Sequence, residues 1–124
     1  MQGIEVVRAG TLRAGSSTSG ILREKAFDSD SAVFSKSTVA AGAVSNWHHH
    51  GARELYGYVV SGKLVLEHGK AGSETLEVRP GDFFHISPGL VHRDVNPGGG
   101  EPAVIVNLLL GEGEPVMNVD SPPT

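Results

Sequence analysis

The chain has 124 residues, of which 39% are hydrophobic and 19% are charged, and its formal net charge is −4. This composition is typical of one globular domain and argues against a disordered tail. The basic residues are scattered, so the sequence predicts no nucleic-acid partner and no anionic membrane partner. The N-terminus has no apolar targeting segment, and no stretch approaches the roughly 18 apolar residues of a spanning helix, so we expect a cytoplasmic protein.

The segment 1–30 carries few signals of regular structure. Residues 14–20, AGSSTSG, indicate a flexible loop. The good helix formers LREKAF, at 22–27, are too few and lack a cap, so they indicate a turn or an extended arm. We therefore expect residues 1–30 to form an N-terminal arm and loop that pack on the rest of the chain.

Residues 31–124 indicate one all-β domain. The chain contains 17 glycines, spread along it in turn-like clusters with proline. Between these clusters, KLVLE at 63–67 and TLEVR at 75–79 alternate apolar and polar residues, as half-buried strands do. AVIVNLLL at 103–110 is apolar almost throughout and predicts a strand buried on both faces. The pattern predicts a single sandwich or barrel.

Three of the six histidines are consecutive, at His48, His49 and His50. Alternate side chains of a strand share a face, so His48 and His50 can converge on one ion while His49 points away. Glu54 begins the next strand after a short turn, where its carboxylate can return beside the two imidazoles. The chain has no cysteine, so any metal must use nitrogen and oxygen ligands, and this set suits divalent first-row metals.

A second segment, at 79–96, places His92 just after a Pro-Gly turn. Together the two segments resemble the two signature motifs of the cupin superfamily. The first motif reads Gly, five residues, His-x-His, three or four residues, Glu, six residues, Gly. The residues that fit it are Gly42, His48, His50 and Glu54, with seven residues instead of six before Gly62. Those that fit the second are Gly81, Gly89, His92 and Asn96, with Ser87 in place of the first proline.

The resemblance implies a double-stranded β-helix, or jelly-roll barrel, of the cupin kind over residues 31–124. It implies one divalent transition metal (Fe, Mn, Ni, Cu or Zn) with the ligands His48, His50, Glu54 and His92. It also implies a homodimer. The extra residue before Gly62 predicts a β-bulge at Tyr56–Tyr58, centred on Gly57.

Several neighbouring side chains have more than one interpretation. His49, His68 and His85 are not counted as ligands. Asp94 and Arg53 either support the metal ligands or are surface charges. Three aromatic residues either line a substrate pocket or pack in the core: Trp47, Tyr56 and Tyr58.

The predicted function is that of a metal-dependent enzyme, of a dioxygenase type, acting on a small organic molecule. Two alternatives stay open: a non-redox isomerase or lyase that uses the ion as a Lewis acid, and a small-molecule-binding sensor without catalysis. No catalytic residue is assigned. Because imidazole must be neutral to bind metal and has an ordinary pKa of about 6.5, metal binding is expected to weaken below a pH of roughly 6.

Overall fold

A computed structural model describes residues 3–124, and these residues form eleven β-strands and two short 3-10 turns, at Ala9–Thr11 and Lys70–Gly72. The strands are β1 (Arg13–Ala14), β2 (Ile21–Asp28), β3 (Ala32–Val39), β4 (Trp47–His49), β5 (Glu54–Ser61), β6 (Leu64–His68), β7 (Glu74–Val78), β8 (Phe83–Ile86), β9 (His92–Val95), β10 (Ala103–Leu110) and β11 (Met117–Val119). Within 3–124, no helix has the length and apolarity needed to cross a membrane.

The strands form two antiparallel sheets. One has the order β1-β2-β3-β10-β5-β8 and the other β11-β4-β9-β6-β7. Alternate side chains of both sheets point into a shared interior, whose fully buried members include Val39, Val59, Leu64 and Ile105. The predicted all-β jelly-roll barrel is confirmed.

Strand β2 lies inside the segment predicted as an arm. It pairs with β3 from Ile21 to Asp28, so the helix formers at 22–27 are part of a full strand of the six-stranded sheet. The preceding loop is anchored, because Arg23 of β2 donates a hydrogen bond from Nη1 to the hydroxyl of buried Thr18, at 2.6 Å. The limit predicted at residue 30 falls in the turn between β2 and β3, and as a domain boundary it stays a prediction.

The bulge in β5 does not lie where the sequence predicted it. The ladder between β5 and β10 is continuous from Glu54 to Val59, and the register shifts only at Val60, before Ser61 pairs with Val104. The prediction of a bulge at Tyr56–Tyr58 was therefore wrong.

Gly57 is needed for space rather than for a bulge. Its backbone is extended, and a Cβ atom there would lie 2.3 Å from the ring of Phe84 on the neighbouring strand β8. Glycine at this position lets the Phe84 ring pack directly on the β5 backbone, inside the barrel.

Strand β10 is buried on one face only, so the prediction of two buried faces was wrong. Its inward residues Ile105 and Leu109 belong to the core, whereas Val104, Val106 and Leu108 point outward and are half-buried. The apolar run in the sequence therefore supplies two surfaces, the core and an apolar outer face of the six-stranded sheet.

Candidate metal centre

Three histidine side chains converge at one point inside the barrel. His48 lies in β4, His50 directly follows that strand, and His92 begins β9, where it pairs with His48 across the sheet. Their ring centroids are 4.4 to 5.4 Å apart. One nitrogen from each ring lies within 4.8 Å of the other two, and all three side chains are buried.

Backbone carbonyls orient the three rings. Each Nδ1 lies 2.9 Å from a carbonyl oxygen, and the acceptors are Asn46 for His48, Pro115 for His50 and Leu90 for His92. A carbonyl oxygen only accepts, so each Nδ1 carries the proton and each Nε2 keeps its lone pair. Backbone orientation of this kind is typical of histidines that bind metal through the other nitrogen.

Burial keeps the three imidazoles neutral. It lowers the pKa of His48 and the pKa of His50 to about 3, with a smaller contribution from neighbouring His92. Burial also lowers the pKa of His92, although the Asp94 carboxylate acts in the opposite direction. The Nε2 atom of His50 is buried without a hydrogen-bond partner among residues 3–124. Three neutral nitrogen donors with lone pairs aimed together fit a divalent first-row metal ion.

The structure does not bring Glu54 to this point. Glu54 lies on the outer face of β5, where its carboxylate is 3.1 Å from Nε2 of His85. Its cross-strand partner is Leu110, which also faces outward, so the register of β10 fixes this orientation. The structure separates the predicted fourth ligand from the three histidines.

Leu55 occupies the inward position instead. It is 5% exposed and lines the cavity beside the histidines. Four residues separate His50 from Leu55, and six separate Leu55 from Gly62, which are spacings that the first motif allows. Leucine therefore stands at the motif's glutamate position, and the seven-residue gap arose from matching Glu54, one residue too early.

The cavity at the histidines has a volume of about 20 Å³, enough for one ion or water molecule. Its walls combine apolar and polar side chains, namely Ile21, Arg23, Ser37, Leu55, Phe84, Ile86, Asp94 and Asn107. Arg23 also lines a second cavity of about 70 Å³, which lies between strands β2 and β3 and the C-terminal segment at Pro115. A buried guanidinium thus lies beside the three histidines. Sequence reasoning missed it because Arg23 falls within the predicted arm, outside both motifs.

The remaining candidates have separate positions. His49 points away from the cluster, and its Nδ1 accepts a hydrogen bond from the Gly51 N–H, at 3.0 Å. His85 lies outside the barrel against Tyr56, with ring centroids 4.9 Å apart. Asp94 lies beside the histidines, with a carboxylate oxygen 3.5 Å from Nε2 of His48.

Arg53 holds the C-terminal segment that orients His50. Its buried side chain donates a hydrogen bond from Nε to the carbonyl oxygen of Gly113, at 2.9 Å. The same segment carries Pro115, whose carbonyl orients His50. Arg53 therefore helps to hold the chain that positions one of the three imidazoles.

The aromatic residues considered for a substrate pocket lie elsewhere. Tyr56 and Tyr58 line an apolar groove on the outer face of the six-stranded sheet. Trp47 lies under the guanidinium of Arg93, which is 4.5 Å from the ring centroid. Neither the pocket interpretation nor the core interpretation describes these side chains.

The family follows from a model that matches the chain. Residues 35–109, more than half of the chain, match the cupin domain, and this range contains all three clustered histidines. The chain is a cupin. No curated protein matches it.

Solved structures with this cupin's fold include proteins of different activities. A double-stranded β-helix protein from Klebsiella pneumoniae has a TM-score of 0.74 at 17% identity, covering 96% of this chain and 100% of its own. The polyketide cyclase RemF from Streptomyces resistomycificus has a TM-score of 0.73 at 23% identity, covering 94% and 86%. Oxalate decarboxylase from Bacillus subtilis has a TM-score of 0.70 at 21% identity, covering 86% and 30%. At these identities the likeness shows the fold alone.

Proposed function

We propose that this cupin is a metal-dependent enzyme, of a dioxygenase type, that acts on a small organic molecule. The observation that carries the proposal is the convergence of three neutral Nε2 donors, those of His48, His50 and His92, on one enclosed cavity. Leu55 cannot bind metal, so the inward position of β5 adds no ligand and coordination positions stay available for substrate.

The donor set determines what the centre can do. A divalent ion held there supplies a Lewis acid, and iron, manganese or copper also supplies electron transfer to dioxygen. The three imidazoles are neutral, and the cavity walls carry one carboxylate, Asp94, and one guanidinium, Arg23. With a divalent ion the site keeps a net positive charge, which favours an anionic oxygen of a substrate. In a dioxygenase reaction both atoms of dioxygen enter the product, so no external reductant is needed.

Arg23 and the apolar walls suit the same class of substrate. Arg23 is buried and lines the histidine cavity as well as the adjacent one, so its guanidinium can bind a carboxylate or enolate oxygen. Leu55, Phe84 and Ile86 give the same space an apolar wall. The substrate class proposed is a small carboxylate or enolisable dicarbonyl compound.

Oxygen uptake tests this function. Protein loaded with iron(II) or manganese(II) is expected to consume one dioxygen per substrate molecule with a carboxylate or dicarbonyl member of a panel that also contains phenolic and thiol compounds. The His92→Ala variant should consume none, whereas His49→Ala, which changes a residue outside the cluster, should match the wild type. Turnover without oxygen, or with zinc alone, would assign isomerase or lyase chemistry. Saturable binding without turnover would assign a sensor.

We also propose that the protein is a homodimer that pairs through the outer face of the six-stranded sheet. This face carries a groove of about 490 Å³ lined by Phe34, Tyr56, Gly57, Tyr58, Val60, Phe83, Val106 and Leu108. Phe83 is 81% exposed, and a large exposed apolar patch marks an interaction surface. The lining has no charged residue, so two copies can pack this face on itself without like-charge repulsion, as a twofold interface requires.

The cytoplasmic location stays a prediction from the sequence.

A single charge in this groove should separate the two copies. Phe83→Asp is expected to raise the dimer dissociation constant at least about 100-fold, because association would bury an unpaired carboxylate. Light scattering coupled to size-exclusion chromatography measures the mass. Leu76→Asp is the matched control, since Leu76 is 59% exposed on the other sheet and should leave the dimer intact. A wild-type monomer, or an unchanged Phe83→Asp dimer, would contradict the proposed interface.

A further inference from the structure

We propose that Asp94 supplies the carboxylate ligand of the metal centre, from β9, in place of the glutamate that β5 lacks. This inference rests on the proposed metal binding, but not on the proposed reaction. Asp94 would complete a set of three imidazoles and one carboxylate, and neither motif assigns it to this role.

The distances from Asp94 to two of the histidines suit ligands of one ion. The Asp94 Oδ1 atom lies 3.5 Å from Nε2 of His48 and 3.8 Å from Nε2 of His92. Metal–ligand bonds of about 2.1 Å place neighbouring donor atoms roughly 3.0 to 3.4 Å apart around an octahedral or tetrahedral ion. A shift of a few tenths of an ångström therefore brings the carboxylate into coordination.

Hydrogen bonding does not explain the position of this carboxylate. The Nδ1 protons of His48 and His92 are donated to backbone carbonyls, so the neutral rings have no proton on the Nε2 atoms that face Asp94. The Asp94 Oδ1 atom is buried and has no hydrogen-bond partner among residues 3–124. A buried, unpaired carboxylate oxygen is costly, and a shared cation would satisfy it together with the orphaned Nε2 of His50.

The backbone of Asp94 is held in place for this task. Its N–H donates to the hydroxyl of buried Ser45, and its carbonyl accepts from the Ser45 N–H, both at 2.9 Å. In β9 the side chains of His92 and Asp94 share the inward face because they are two residues apart. The side chain is 15% exposed, so it is nearly enclosed with the histidines.

Metal affinity of matched carboxylate variants tests the inference. Zinc(II) and cobalt(II) dissociation constants are measured by competition with a chromophoric chelator, and cobalt(II) absorption reports the coordination number. Removal of groups that merely orient ligands weakens metal affinity 10- to 100-fold, so Asp94→Ala should weaken it at least about 100-fold. Asp94→Asn, which preserves shape, should weaken it in the same direction and alter the cobalt spectrum. Glu54→Gln should change affinity less than about twofold, because Glu54 faces outward.

The outcomes separate this inference from the proposed reaction. Equal metal affinity in the wild type and in Asp94→Ala would overturn the inference and leave the three-histidine centre. Equal losses in Glu54→Gln and Asp94→Asn would overturn it in favour of the sequence-based assignment. Metal binding that depends on Asp94, without turnover of any substrate, would support the inference and overturn the proposed enzyme. Wild-type protein that binds no metal would overturn both.

Discussion

Replacing His48 or His50 by alanine is expected to abolish metal retention, whereas replacing His49 should preserve it. Each outer histidine presents a neutral Nε2 atom to the shared cavity, and no other imidazole within 3–124 can take its place in the cluster. Loss of a ligand should weaken affinity at least about 100-fold, beyond the effect of removing a group that only orients one. Elemental analysis of untagged protein, purified without chelators, gives the metal-to-protein ratio.

His49→Ala is the matched control for this experiment, because it changes the same run of three residues. Its ring accepts one hydrogen bond from the turn at Gly51, so its removal should cost about 1 kcal/mol of stability and no metal. Equal metal losses in His49→Ala and His50→Ala would show that the cluster does not bind through the inward rings. Full metal occupancy in a His48→Ala, His50→Ala double variant would contradict the site altogether.

Metal-free protein is expected to lose stability steeply as the pH falls below about 6.5. The folded state holds the pKa of His48 and of His50 at about 3, whereas the unfolded chain has an ordinary imidazole pKa near 6.5. Between these values the unfolded chain binds protons that the folded chain cannot, so acid favours unfolding. Each histidine should lower the free energy of unfolding by about 1.4 kcal/mol per pH unit, or about 2.7 kcal/mol for the pair.

Urea unfolding in the presence of a chelator, at several pH values between 6.5 and 5, measures this slope. The window lies above the range in which the carboxylates of Asp28 and Glu77 titrate. Hydrogen bonds donated by Lys25 and Arg79 lower their pKa values, so their contribution to stability is lost only in stronger acid. The His50→Gln variant should show a slope smaller by about 1.4 kcal/mol per pH unit, because the other buried imidazoles, His48 and His92, still contribute. A free energy of unfolding that stays flat across the window would contradict the neutral buried histidines.

Burial also changes the expected pH dependence of metal binding. The sequence-based value of roughly 6 used the ordinary pKa of imidazole, but His48 and His50 resist protonation to about 3 while the chain stays folded. Metal release between pH 6 and pH 4 should therefore follow unfolding rather than precede it. Saturating zinc(II), which binds the folded state, should raise the free energy of unfolding by a similar amount across this window and leave the slope unchanged, because the folded imidazoles are neutral with and without the metal.

Local sequence rules predicted much of the site. Strand parity alone separates His48 and His50 from His49, and the structure brings the outer two together with His92. Turn-forming clusters and alternating apolar residues predicted the all-β fold, because both signals depend on near neighbours in the chain. The predicted strand at 63–67 corresponds closely to β6, and that at 75–79 corresponds closely to β7.

The misplaced bulge and the outward direction of Glu54 share one cause, which is the register between distant strands. Whether Glu54 or Leu55 faces the barrel depends on the pairing of β5 with β10, and a shift of one residue exchanges the two faces. The same pairing places the bulge at Val60, and the packing of Phe84 explains Gly57.

The sequence by itself determined the all-β fold, its membership of a family with a histidine centre, and the outward direction of His49. These features follow from the spacing of residues within single segments. Only the tertiary structure decided that Glu54 faces outward, that Arg23 from the N-terminal region lines the cavity, and that Asp94 faces the imidazoles. These positions come from strands far apart in the chain, so long-range pairing and packing, rather than local propensity, determine which side chains meet.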